Sequence, residues 1–94
     1  MVVRSLLAFA VLSFCGTAEA DWMVRRQTMG GICHVQMKTA SPIGSDLSGP
    51  HSTRKIACTS AKQLYDSSGT DSKRCAEYGN GTVSSCKQDG VSLP

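Results

Sequence analysis

Four of the five cysteines, Cys33, Cys58, Cys75 and Cys86, are spread through residues 21–94 of the 94-residue chain, a stretch too short to be held together by a hydrophobic core alone. Below about 70 to 80 residues such a core rarely supplies more than about 3–5 kcal/mol, and covalent staples make up the difference. Each disulfide contributes about 2–4 kcal/mol, largely by restricting the unfolded chain. The cysteine count becomes even only when the first twenty residues are set aside. That segment, MVVRSLLAFAVLSFCGTAEA, has a positive Arg4, a short apolar run from Ser5 to Phe14, and Ala18-Glu19-Ala20 as a small-x-small cleavage pattern. The run falls well short of the roughly 20 residues that span a bilayer, so it reads as an address and not as an anchor. A secretory signal over 1–20 and one small exported domain over 21–94 are therefore expected, with no transmembrane anchor.

The fifth cysteine, Cys15, leaves with the signal. Leu12-Ser13-Phe14-Cys15 matches a bacterial lipobox only at its first positions, because Phe14 stands where a small residue is needed. Cleavage after Ala20 is the better reading. It places the four remaining thiols in an oxidising compartment, secreted or periplasmic, where they pair.

Hydrophobic patterning points to a β-hairpin over Asp21 to Lys38. Gly30-Gly31 reads as a two-residue turn that accepts positive φ at both positions. In that register Met29 faces Ile32, Arg26 faces Val35, Val24 faces Met37 and Trp22 faces Thr39. One face then gathers Trp22, Val24, Cys33, Val35 and Met37, and is expected to be buried. The other gathers Met23, Arg25, Gln27, His34, Gln36 and Lys38, and is expected to be wet. Trp22 is expected to anchor the core rather than to offer a stacking platform.

Residues 39–53, TASPIGSDLSGPHST, read as a long loop broken by Pro42, Pro50, Gly44 and Gly49. A helix is expected from Arg54 to Ser67, capped by Ser52 or Thr53. Its buried stripe would be Ala57, Ala61, Leu64 and Tyr65, with Ile56 and Cys58 on the flanks. After a polar stretch, Thr82 to Lys87 reads as a short third strand, followed by an Asp89-Gly90 turn. The expected class is α+β, a small disulfide-stapled domain in the order β-β-α-β. Four cysteines allow three pairings. Cys33–Cys58 with Cys75–Cys86 is preferred, since loop closure slightly favours sequence neighbours. Cys33–Cys86 with Cys58–Cys75 is the close alternative.

Chemistry-bearing patterns are sparse. The cysteines are separated by 24, 16 and 10 intervening residues, which gives neither a metal knuckle nor a C-x-x-C redox pair. His34 and His51 stand in no recognisable catalytic setting, and there is no Gly-x-Ser-x-Gly elbow. No enzyme, cofactor or metal is expected. Asn80-Gly81-Thr82 forms a glycosylation sequon that a turn conformation explains equally well. Without the signal the chain keeps 9 basic and 6 acidic side chains. Its basic pairs, Arg25-Arg26, Arg54-Lys55 and Lys73-Arg74, are dispersed, which does not make a nucleic-acid footprint.

These features fit a non-catalytic binding or structural protein acting on an unidentified protein or envelope component. The expected binding surface comprises the 39–53 loop with Arg25, His34, Lys38 and His51. The alternative is a secreted inhibitor or toxin-like effector that presents the 39–53 loop to a protein target, clamped by bridges at Cys33 and Cys58. Oligomeric state is left open by the sequence.

Overall fold

The computed structural model describes residues 21–94. The expected signal, with Cys15, lies outside the described residues. The domain is mixed α+β, with four strands and two helices in the order β-β-β-α-β-α. The strands are β1 (Trp22–Arg26), β2 (Ile32–Met37), β3 (Ser45–His51) and β4 (Glu77–Tyr78), and the helices are α1 (Arg54–Gln63) and α2 (Asn80–Gln88). In the sheet they lie as β3-β1-β2-β4; β4 runs parallel to β2 and the other pairs are antiparallel.

The hairpin forms in a different register from the one expected. Val24 faces Val35 and Trp22 faces Met37, two residues away from the Gly30-Gly31 two-residue turn. The last ladder bond runs from the Gln27 N–H to the Ile32 carbonyl at 2.8 Å, leaving Thr28 to Gly31 as a four-residue connection. Gly30 and Gly31 take the positive φ expected, 79° and 65°, but within this longer connection, where Gly31 also permits a close approach. A Cβ there would lie 3.0 Å from the Arg26 guanidinium and 3.1 Å from Ala76, and its carbonyl accepts the Ala76 N–H at 3.0 Å. A slip of two preserves the face of every side chain, because strand side chains alternate with period two. Val24, Cys33 and Val35 accordingly lie in the core, while Trp22 is half-buried and Met37 more exposed.

The opposite face corrects the expectation of a wet surface, since Met23 and Arg25 are both buried. The segment following β2 folds back over it. Gln36 holds that segment, accepting from the Ile43 N–H at 2.9 Å and donating to the Ser41 carbonyl at 3.2 Å.

Residues 45–51, expected within a loop, are the edge strand β3. Its Ser, Gly and Pro residues are tolerated because an edge strand needs hydrogen bonds on one side only. The pairing with β1 is interrupted by register shifts. Gly49, at φ 116°, sits where a Cβ would press 2.8 Å from the Trp22 carbonyl and 2.9 Å from the Met23 sulfur.

Helix α1 begins as expected, with the Thr53 hydroxyl accepting the Ile56 N–H at 3.1 Å. It ends at Gln63 and not at Ser67, because the chain is then drawn into backbone bonds with the Cys75 region. The Cys75 N–H donates to Leu64 at 2.9 Å, and the Asp66 N–H donates to Cys75 at 2.8 Å. Ala57, Cys58 and Ala61 are wholly buried, and these small side chains bring α1 close to the sheet.

The expected third strand over 82–87 is instead helix α2. Its β-branched residues suggested a strand, but Thr82 and Cys86, buried one helical turn apart, set a helical face. The expected Asp89-Gly90 turn is its stop. The Val91 N–H reaches back to Cys86 at 2.9 Å and the Gly90 N–H to Lys87 at 3.0 Å, around Gly90 at φ 82°. Where β4 ends, Thr82 continues its task, with its hydroxyl accepting the Val35 N–H at 3.1 Å.

The disulfides are Cys33–Cys75 and Cys58–Cys86, which is neither the preferred pairing nor the alternative. Parallel pairing of Cys33 with Tyr78 brings the 75–78 segment alongside β2, and α1 lies against α2 across the other bridge. All four sulfur-bearing residues are fully buried, among Val24, Val35, Ala57, Ala61, Tyr78 and Val91. The Tyr78 hydroxyl donates to the Ala61 carbonyl at 2.6 Å, and burial, helped by neighbouring Tyr65, pushes its pKa up to about 12.

Three outcomes follow for stability. The closed loops of 42 and 28 residues correspond to about 4 kcal/mol of chain entropy each. Cys58→Ala with Cys86→Ala is expected to abolish a cooperative urea transition; an unmoved midpoint would refute a sulfur-dependent fold. Gly79→Ala places a methyl 2.6 Å from the His34 ring and is expected to cost about 1–3 kcal/mol. Gly81→Ala meets nothing within 4 Å inside α2 and is expected to gain about 0.5–1 kcal/mol in the same titration.

Candidate functional site

The residues expected to form one binding surface do not come together. Arg25 is 5 % exposed, and its guanidinium is consumed internally. Nε donates to Asp46 at 2.7 Å, one terminal nitrogen to Gln36 at 2.9 Å and more loosely to the carbonyls of Met37 and Ala40, and the other to the Lys38 carbonyl at 3.2 Å. It clamps the 37–40 turn and β3 onto β1. Lys38 is exposed beside that turn. His34 is half-buried against Gly79, with its Nε2 2.7 Å from the Gln27 side-chain oxygen. Desolvation lowers its pKa below the usual 6.5.

His51 alone opens onto a concavity. A groove of about 390 Å³ runs along the exposed flank of α1, lined by His51, Lys55, Ile56, Thr59, Ser60 and Gln63. Its lining is mostly apolar, with Ile56 almost half exposed. At the β3 end a polar chain closes it. The Ser48 hydroxyl lies 3.0 Å from His51 Nε2 and 2.8 Å from the Ser60 hydroxyl. Ser48 thereby ties β3 to α1 and fixes the wall of the groove.

A serine hydrogen-bonded to a histidine raises the question of nucleophilic chemistry. His51 has no carboxylate partner among the hydrogen bonds of the described residues, so nothing of that kind orients its ring for base catalysis. The hydroxyl bonded to His51 is that of Ser48, and it is also engaged by the Ser60 hydroxyl, which spends it on joining β3 to α1. The arrangement is suited to holding a surface in shape and offering hydrogen bonds to a visitor. Among the described residues, no group of three or more His, Cys, Asp or Glu side chains could hold a metal ion.

Thr59, Ser60, Gln63 and Ser48 carry no signal of their own in the sequence, where Ile56 reads only as a flank of the buried stripe. Ile56, Ser60 and Gln63 recur at i, i+4, i+7, a second helical stripe beside the buried one. Its single large apolar member made it look like a flank of the core. The exposed Asn80 of the sequon stands at the start of α2, while Thr82 is buried and committed to Val35.

No described helix is long and apolar enough to cross a membrane. Compared with protein-family models, with curated proteins and with solved structures, the chain matches none.

The roles of Arg25 and His34 are open to measurement. Arg25→Met leaves Gln36 and several carbonyls without their donor and is expected to cost about 2–5 kcal/mol, whereas Asp46→Asn, at an exposed carboxylate, costs under about 1 kcal/mol. Paired urea titrations check this; equal losses would mean that Arg25 is not a clamp. Because folding lowers the His34 pKa, the unfolded chain takes up a proton more readily. Stability is therefore expected to be level above about pH 6.5 and to fall as the pH drops below it toward the lowered value. His34→Gln should flatten the dependence between pH 7 and 5.5.

Proposed function

We propose that this chain is exported to the periplasm or the extracellular space, and that it acts there as a non-catalytic binding protein through the α1 groove. The observation that carries the reading is the groove itself: exposed Ile56 among hydrogen-bonding Ser60, Thr59, Gln63 and His51, on a helix fixed from behind by Cys58–Cys86. Recognition surfaces combine an apolar anchor point with a few placed polar groups on a rigid support. Fully buried disulfides fit an oxidising compartment, and with them the signal-like 1–20 segment supports export.

The alternative of an inhibitory loop at 39–53 draws no support from β3, which pairs with β1 over much of that segment. Cys33 and Cys58 are both bridged, as that alternative asks, but much of the segment between them is held in the sheet and is not presented as a free loop.

Affinity capture with the oxidised protein, from the extracellular or periplasmic fraction of its source, tests the reading. The wild type and Lys38→Ala are expected to retain the same partner, and Thr59→Arg, which fills the groove from an exposed position, to lose it at an unchanged urea midpoint. A partner retained by Thr59→Arg would refute the assignment of the groove.

A further inference from the structure

Resting on that reading of the groove, we infer that its occupant is an extended, acidic segment of a partner protein, which lies beside β3 and seats one apolar side chain on Ile56 with a carboxylate at Lys55. Three observations converge on this occupant.

The first is shape. The groove is walled by one helix flank and by the last residue of one strand, and is otherwise open. A small molecule is normally held by burying 70 % or more of its surface, which a site this open does not do. A side chain projecting from a partner's backbone needs only a shelf, and Ile56 with the flanking stems of Lys55 and Gln63 provides one.

The second is charge. Helix α1, RKIACTSAKQ, carries three basic residues and no acidic one. Arg54 is neutralised by Asp89 through two bonds of 2.6 and 2.9 Å, which hold the Asp89 carboxyl below its ordinary range. Lys55 and Lys62, seven residues apart on the exposed side, have no carboxylate within salt-bridge distance among the described residues. A visitor with carboxylates complements this face, whereas a second copy of the chain would set lysine against lysine.

The third is the sheet edge. β3 is the terminal strand, and no described strand pairs with its outer side. Its last residue, His51, is a wall of the groove, so the strand's free edge ends at the groove. Addition of an extended peptide to such an edge is an established mode of recognition, in which backbone bonds give affinity and side-chain pockets give selectivity. Pro50 and the register shifts against β1 limit the addition to a short stretch.

Selection of random twelve-residue displayed peptides on the full, oxidised protein provides the test. Recovered peptides are expected to share an apolar residue with Asp or Glu within two positions. Ile56→Asp and Lys55→Glu should each weaken them at least tenfold, Lys38→Glu less than twofold, and bound peptide should slow amide exchange over 45–51. Both groove variants alter exposed side chains, and equal urea midpoints confirm that they fold. No enrichment, peptides without acidic residues, or unchanged exchange in β3 would overturn this occupant. Recovered peptides that still depend on Ile56 would leave the groove standing as a binding site. Binding to duplex DNA or to phosphatidylserine vesicles that survives Ile56→Asp, without peptide enrichment, would mean bare charge attraction and would also overturn it.

Discussion

Two interleaved disulfides hold this domain, and the rest of the structure is arranged around them. In chain order Cys33 is bridged past Cys58 to Cys75, and Cys58 past Cys75 to Cys86. The closed loops overlap, so every residue from Cys33 to Cys86 lies within at least one of them. The sulfur atoms also fill the interior. Four of the ten clustered core residues are half-cystines, and none of the remaining six is larger than Tyr78. The same bonds act as cross-link and as packing, which suits a chain with so little else to bury.

That economy leaves polar groups to do what larger cores do with hydrocarbon. Arg25 lies where a second apolar layer would otherwise be needed, and its donors gather a turn, a side-chain amide and a β3 carboxylate onto one strand. A buried guanidinium tolerates this because it is supplied with acceptors on several sides. Arg54 plays a smaller version of the part at the other end. It joins the start of α1 to Asp89 after α2, and lies 5.9 Å from the Trp22 ring on β1. Both arginines belong to the dispersed basic pairs of the sequence. Nothing in the one-dimensional pattern distinguishes an arginine with acceptors waiting from one without.

The α+β class and the division of hairpin side chains between two faces were legible because they depend on period-two alternation, which a register slip of two leaves intact. The register itself was not legible. Gly30-Gly31 carries a strong turn signal, but Gly31 is needed for the approach of Arg26 and Ala76, a tertiary requirement. β3 was hidden by Ser, Gly and Pro, residues that only an edge position makes acceptable in a strand. In α2 the local preference of Thr82 and Val83 for strands was overridden by the bridge through Cys86 and by a glycine stop. The cysteine pairing failed for a matter of magnitude. Doubling a loop changes closure by only about 0.6 kcal/mol. Sequence proximity is therefore a feeble guide once β4 pairing and helix contact decide which sulfurs meet. Of the four expected surface residues only His51 reaches the groove: Arg25 is taken up by the segment that returns after β2, His34 is packed against Gly79, and Lys38 is exposed away from the groove's lining.

The groove follows from the same small residues that make the core compact. Ala57 and Ala61 let α1 settle onto the sheet until its backbone, not its side chains, sets the spacing. A helix that close has its next stripe, Ile56, Ser60 and Gln63, tipped toward the edge strand instead of straight out to solvent. Ser60 then meets Ser48 across the gap at 2.8 Å, which fixes how far α1 and β3 approach and leaves a shelf above the contact. Larger residues at 57 and 61 would lift α1 away, break the serine contact and close or flatten that shelf. An exposed isoleucine on such a shelf runs against the ordinary preference for wet helix faces. The close packing behind it accounts for the geometry of the shelf, and the partner segment proposed above would cover the isoleucine upon it.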